Sequence, residues 1–288
     1  EYGIHDLDDL ATVKLVVARA IDAGGLLVLN ADDPVLVRQS ALLACPLGWF
    51  ALDFDQPLLV QQRQAGRPTC GVLGEVAAMP LTLAGRATYN IANIAGAALT
   101  ATALGIPAAT IAATLEKFGQ SQADNPGRLQ HWRFGTLEVF LDYAHNPDGL
   151  HGLLDAVDAQ GRHGRLAIVL GHAGNREDAD LRAVAATAAS ARPDLVMLKD
   201  IAGYERGRAS GEIAAIMRAQ LLEDGVPANA ITLCLDEVEA ARIPLSWARE
   251  GDLLVLPIHE MEARAQVTAL LDQMAATDWR AGQPLPSL

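Results

Sequence analysis

A chain of 288 residues with 51% hydrophobic and 20% charged side chains is long enough for two buried cores and too apolar to be disordered. A formal net charge of −13 excludes a nucleic-acid partner, which needs clustered Lys and Arg, and is compatible with a cationic small substrate. Cys45, Cys70 and Cys234 stand far apart with no Cys-x-x-Cys pair, so no metal site or disulfide framework is indicated. Reduced thiols fit a cytoplasmic location, and no apolar run reaches membrane-spanning length.

In chain order, residues 8–23 carry apolar side chains at helical spacing and end at Gly24-Gly25. Residues 26–29 read as a short buried strand, followed by the Asn30-Ala-Asp-Asp-Pro34 turn and another helix. Residues 50–52 and 58–61 read as short strands, and 62–85, punctuated by Gly66, Gly71 and Gly74, as hairpins. Residues 90–104 form an Ala-rich helix whose surface could support a homo-oligomer, and Pro107 opens another ending near Phe118. The polar stretch 120–126, ending in proline, reads as a linker.

Beyond the linker, Arg128 opens a short strand, and 136–141 form a second that runs into Asp142, Tyr143, His145 and Asn146 before Pro147 starts a helix. Strands at 166–170, 195–198, 231–234 and 253–257 alternate with helices, the pattern of an α/β fold with a mainly parallel, Rossmann-like sheet. Residues 277–288, with two prolines and little pattern, read as a tail that frays. No Gly-x-Gly-x-x-Gly follows a strand, which argues against a dehydrogenase.

Ligands bind parallel sheets where strands end and helices begin. A carboxylate, a phenol, an imidazole and an amide at 142–146 can hold ribose hydroxyls and phosphates there, and can equally make a capped turn. Asn90 opens a helix, as a cap or as an amide for an adenine edge. Gly171 and Gly174 allow a tight turn before a helix N-terminus that favours anions; Arg176 adds a positive charge, and Asp178 orients it or caps the helix. After the next strand, Asp200 or Glu212 could receive a guanidinium and Arg206 or Arg208 a carboxylate, although a solvated charged loop has the same composition.

These residues carry a resemblance. Gly127-Arg128 followed by Asp142-Tyr-Ala-His-Asn-Pro-Asp148 resembles the start of the C-terminal domain of the Mur ligase family, ATP-dependent enzymes that join an amino acid to a carboxylate. Asn30-Ala-Asp-Asp33, Tyr89-Asn90-Ile-Ala-Asn93 and Gly171-His-Ala-Gly-Asn-Arg-Glu-Asp178 resemble, in order, the family's Asn-x-Asp-Asp turn, His-Asn-x-x-Asn element and Gly-Gly-x-x-x-Arg-Asp loop, with Tyr89 in place of the His. The resemblance implies a partial Mur ligase central, ATP-binding domain over 1–125, a Rossmann-like C-terminal domain over 126–276, and a tail over 277–288. It implies nucleotide contacts at Asn90, Arg128, Asp142, Tyr143, His145 and Asn146. On the substrate side it implies Gly174, Arg176, Asp178, Lys199, Arg206, Arg208 and Glu212, with His259 and Glu260 near a Gly-x-Gly-His-Glu contact whose glycines are here Pro257 and Ile258.

The run from Lys199-Asp200 through Arg206-Gly-Arg208 to Gly211-Glu212 is similar to the family members that attach Arg to the Asp side chains of a polymer. No Asp-Asn-Pro-Arg, expected of a cell-wall member, occurs. The implied partners are an amino acid, Arg favoured, and a peptide or polymer carboxylate, with ATP and magnesium as cofactors and an acyl-phosphate route. No Gly-x-x-x-x-Gly-Lys-Ser/Thr occurs in the 288 residues, so ATP and magnesium are expected to need an upstream region, and the chain alone is expected to be inactive. The alternatives are a Mur-like binding or assembly module without catalysis, or a Mur ligase that adds a different amino acid.

Overall fold

Parallel pairing governs both halves of the chain. The computed structural model describes residues 4, 6–159 and 161–287, in two units, Glu1–Gln120 and Ser121–Leu288. In the first unit, α1 (Leu7–Lys14) starts at Asp6, whose side chain accepts the Asp9 N–H, and continues as a 3-10 helix to Ala20. β1 (Leu27–Asn30), α2 (Pro34–Ser40) and β2 (Leu47–Phe50) make a two-stranded parallel sheet with its connecting helix. Asp33 Oδ1 accepts the N–H groups of Val35 (2.8 Å) and Leu36 (3.2 Å), and Pro34 takes the first helical position, so the Asp-Asp-Pro turn is a helix cap. Asp33→Ala is expected to lower stability by about 1 kcal/mol, read as a lower urea midpoint with an unchanged slope.

The strand expected at 58–61 is instead inside α3 (Pro57–Gln64). Gln56 Oε1 accepts Leu58 N–H at 2.6 Å with Pro57 at the first position, and this cap outweighs the strand preference of Leu-Leu-Val. The strand expected at 50–52 lies at 47–50. The hairpins expected over 62–85 do not form. Two single-turn 3-10 helices, Val76–Ala78 and Pro80–Thr82, stand there, tied by the buried Thr82 hydroxyl donating to Val76 O and Met79 O. α4 (Thr88–Ala103) packs on both strands and is followed by α5 (Ala108–Leu115).

The second unit is a six-stranded sheet. Its strands are β3 (Gln130–Phe134), β4 (Leu137–Asp142), β5 (Leu166–Leu170), β6 (Leu195–Leu198), β7 (Ile231–Leu233) and β8 (Leu253–Pro257), in the order β3-β4-β8-β5-β6-β7. Only β3, at the edge, runs antiparallel. The helices are α6 (Pro147–Ala156), α7 (Asp178–Ser190), α8 (Glu212–Glu223), α9 (Glu237–Trp247) and α10 (Met261–Ala276). α6, α7 and α8 pack in one row, while α9 and α10 join one face of the sheet in a single apolar core. β5, β6 and β8 are buried along their whole length, so their sequences are unbroken apolar runs.

Residues 277–287 of the tail are packed rather than frayed. Trp279 is 3% exposed, meets Phe134 edge-on at 5.4 Å, and its indole N–H reaches the carbonyl of Pro284 at 3.1 Å. The area of one buried indole anchors the segment, and Leu285 packs against the same core. Among the described residues no helix is long and apolar enough to cross a membrane.

Candidate functional site

In this sheet β4, β8, β5 and β6 are adjacent and parallel, so the loops that leave their C-terminal ends share one edge. β4 delivers Asp142, buried, with Oδ2 accepting the Leu129 N–H at 2.6 Å. Burial raises the pKa of this carboxyl, against the pull of the Leu129 and Ala144 N–H groups and of Arg128. Tyr143 stands next to it, with two guanidinium groups near its ring: Arg128 Cζ is 5.1 Å and Arg264 Cζ 5.3 Å from the ring centre. Neither arginine is in a salt bridge among the described residues. Gly127, at φ +72°, makes room for this arrangement, because a Cβ there would lie 2.7 Å from Arg264 Cδ.

The structure therefore brings Arg128, Asp142, Tyr143 and His145 together and adds Arg264, which sequence reasoning missed. Nothing in its α10 context marks it. Asn146 is the cap of α6, its Oδ1 accepting Gly149 N–H at 2.7 Å. Asn90 belongs to the first unit and is not the helix cap, a place taken by Ala87. Its amide donates to Leu81 O at 2.8 Å and accepts from Asn93 at 3.3 Å.

The loop after β5 is stitched to the loop after β6. Gly174 N–H donates to Tyr204 O at 2.8 Å, and a side chain at Gly174 would overlap the Glu205 carbonyl. Arg208 donates to Gly174 O (3.0 Å), Arg176 O (2.8 Å), Asp178 (2.8 Å) and Glu212 (3.0 Å). Arg208, Asp178 and Glu212 are thus committed to each other, and Asp178 is the first residue of α7, one after its cap. Arg176 and Arg206 are exposed, Arg206 in a left-handed conformation with its guanidinium 5.0 Å over the Tyr204 ring.

Asp200 is different. It is 8% exposed, and Oδ2 accepts Gly211 N–H (2.8 Å) and Ser210 Oγ–H (3.0 Å), while Oδ1 is buried with no hydrogen-bond partner among the described residues. A buried unsatisfied acceptor costs roughly 1–3 kcal/mol, so its presence calls for an explanation.

Behind these loops lies a buried ionic cluster. Lys199, 0% exposed, donates to Glu237 Oε1, and its Nζ lies 3.0 Å from His259 Nδ1. Glu237 also accepts the backbone N–H groups of His259 (2.9 Å) and Glu260 (2.8 Å). Burial lowers the Lys199 pKa, and the Glu237 charge opposes this. His259 is pushed well below the ordinary imidazole value by burial first and then by the Lys199 charge. Lys199 and His259 are therefore spent inside the protein, and Glu260 caps α10 through Ala263 N–H at 2.7 Å. Glu237 escaped sequence reasoning; its one signal is an acidic residue opening a helix after a strand. Among the described residues no group of three His, Cys, Asp or Glu side chains could hold a metal ion.

Residues 127–257 match the family model described as Mur ligase, glutamate ligase domain. The chain is 29% identical over 272 residues to the cyanophycin synthetase of Synechocystis sp., covering 88% of this chain and 31% of that protein. It is 32% identical over 182 residues to the UDP-N-acetylmuramoyl-L-alanyl-D-glutamate–2,6-diaminopimelate ligase of Gloeobacter violaceus, covering 60% of this chain and 35% of that one. The chain thus spans about a third of these relatives, 31% and 35% of their lengths. In fold it is similar to the Mycobacterium tuberculosis folylpolyglutamate synthase solved with ADP (TM-score 0.62, 17% identity, 93% of this chain and 60% of that chain). It is also similar to the murein peptide ligase of Psychrobacter arcticus (TM-score 0.57, 15% identity, 98% and 57%). Residues 127–257 thus resemble the Mur ligase, glutamate ligase domain, in a chain whose similarity to cyanophycin synthetase extends over 88% of its length.

Proposed function

We propose that this chain is part of an ATP-dependent carboxylate–amine ligase of the cyanophycin synthetase kind, which adds Arg to Asp side chains of a polymer. In this reading residues 1–125 are part of the ATP-binding central domain, 126–276 are the C-terminal domain, and the enzyme is cytoplasmic. A carboxylate takes a phosphoryl group from ATP, and the incoming amine displaces phosphate. Here the chain's own work is positioning and charge. In this reading Arg128 and Arg264, whose Cζ atoms lie 5.1 and 5.3 Å from the Tyr143 ring centre, present positive charge to the nucleotide, and the neighbouring Asp142 carboxylate accepts from a ribose hydroxyl. ATP and magnesium are the cofactors this reaction requires, and no residue described here is assigned to magnesium.

The observation that carries the reading is the free Oδ1 of Asp200. Glu212, the other acidic candidate, is already paired with Arg208, whereas Asp200 offers a buried, negatively charged acceptor at the strand-end edge. A guanidinium or ammonium group supplies both the donor and the opposite charge; a neutral donor supplies only the hydrogen bond. Asp200→Asn keeps an acceptor for Gly211 N–H and removes the charge. It is expected to raise the KM for Arg by roughly 10-fold or more, the worth of a charged hydrogen bond, and to leave the KM for ATP unchanged. Steady-state kinetics with each substrate varied separately reads this. An unaltered KM for Arg in a folded variant would remove Asp200 from the substrate site.

A further inference from the structure

Three consecutive carbonyls of the turn after β4 each face an imidazole nitrogen. Tyr143 O is 3.1 Å from His145 Nδ1, Ala144 O is 2.9 Å from His259 Nε2, and His145 O is 2.6 Å from His172 Nε2. The rings come from three places: the turn itself, the loop after β5 and the end of β8. This same turn carries Tyr143, and Asp142 directly precedes it.

His259 is the one whose tautomer the protein dictates. An ammonium group has donors only, so Lys199 Nζ at 3.0 Å forces Nδ1 to accept, and the ring proton resides on Nε2. That N–H then donates to Ala144 O. Glu237 holds the ammonium in place, and by accepting the His259 and Glu260 N–H groups it also fixes the backbone that carries the ring. His172 has no comparable partner, because both of its nitrogens face carbonyl oxygens, His145 O and Ala173 O. The His259 ring further backs Tyr143, with ring centres 5.4 Å apart and an edge-on angle of 70°.

We propose that His259 is a positioning residue for the 143–145 turn, held in the required tautomer by the buried Lys199–Glu237 pair. The proposal rests on the ligase reading for its purpose: the turn so fixed presents Asp142 and Tyr143 to the nucleotide. His259 itself is buried and has both nitrogens engaged within the protein. A staple between β6 and α9 would need only Lys199 and Glu237; the imidazole extends it to β4. Buried ion pairs are often no better for stability than apolar packing, so a cluster that reaches this turn is better accounted for by geometry than by stability.

Two variants separate the ring from its proton. His259→Phe keeps a ring against Tyr143 and loses the N–H, while His259→Gln keeps an N–H near the Nε2 position and loses the ring. In the native polypeptide, His259→Phe is expected to speed amide exchange at residues 143–146 and raise the KM for ATP, each roughly 5- to 10-fold, the worth of one hydrogen bond, with kcat changed less. His259→Gln is expected to restore most of both. Nitrogen-15 spectra of the wild-type imidazoles should place the His259 proton on Nε2, a readout that stands even if a variant does not fold. Unchanged exchange and KM in His259→Phe, or a wild-type proton on Nδ1, would overturn the proposal. A wild type with no ATP-dependent turnover would instead sink the ligase reading, leaving exchange and tautomer to decide the positioning role.

Discussion

Glu237→Ala should lower the unfolding free energy by about 3–5 kcal/mol, as measured by urea denaturation. The change leaves the Lys199 ammonium at 0% exposure without its carboxylate and strips the His259 and Glu260 N–H groups of their acceptor. Native stability is typically about 5–15 kcal/mol, so this single truncation removes a large share of it. The neutral pair Lys199→Met with Glu237→Gln should recover most of the loss, because no charge is then buried unpaired. A loss under about 1 kcal/mol for Glu237→Ala would mean that Lys199 finds water or another anion, contrary to the packing described.

Gly174→Ala is the second large effect. A methyl at this position would overlap the Glu205 carbonyl, which is backbone and cannot swing aside, so one of the two loops must move. That movement breaks the Gly174 N–H bond to Tyr204 O and the Arg208 bond to Gly174 O together. A cost of about 3 kcal/mol is expected, in the range of overpacking plus lost hydrogen bonds, and with it a steep fall in any activity that depends on the 199–212 loop. Thermal unfolding and kinetics of the same preparation test this. A normal melting temperature would show that the loops separate easily.

Strands β5, β6 and β8 of the second unit were legible because burial on both faces writes them as apolar runs. Leu166–Leu170, Leu195–Leu198 and Leu253–Pro257 coincide with the sequence reading. Residues 58–61 failed because Leu-Leu-Val suits a strand equally well, and the deciding signal was the Gln56-Pro57 cap beside it. Residues 62–85 failed because glycines mark turns without saying what joins them. The tail was misread because a lone Trp among prolines has no period, yet one indole suffices to anchor it.

The candidate site divides the same way. Arg128, Asp142 and Tyr143 lie close in sequence or across one strand pair, so their meeting could be read from the motif. Lys199, Glu237 and His259 are separated by 38 and 60 residues, and only the sheet order brings them together. For Arg208 and Glu212 sequence shows the charge of each and not the pairing between them. Asp200 was one of two acidic candidates, and its unpartnered oxygen is what distinguishes it.

ATP- and primer-dependent incorporation of labelled Arg by the native polypeptide that contains these 288 residues, with phosphate release followed in parallel, tests the ligase reading. Phosphate release is expected to require Arg and the polymer carboxylate together, with label appearing in the polymer. A folded, nucleotide-binding polypeptide that forms no amide bond with Arg or any other amino acid would contradict it and leave a binding or assembly module.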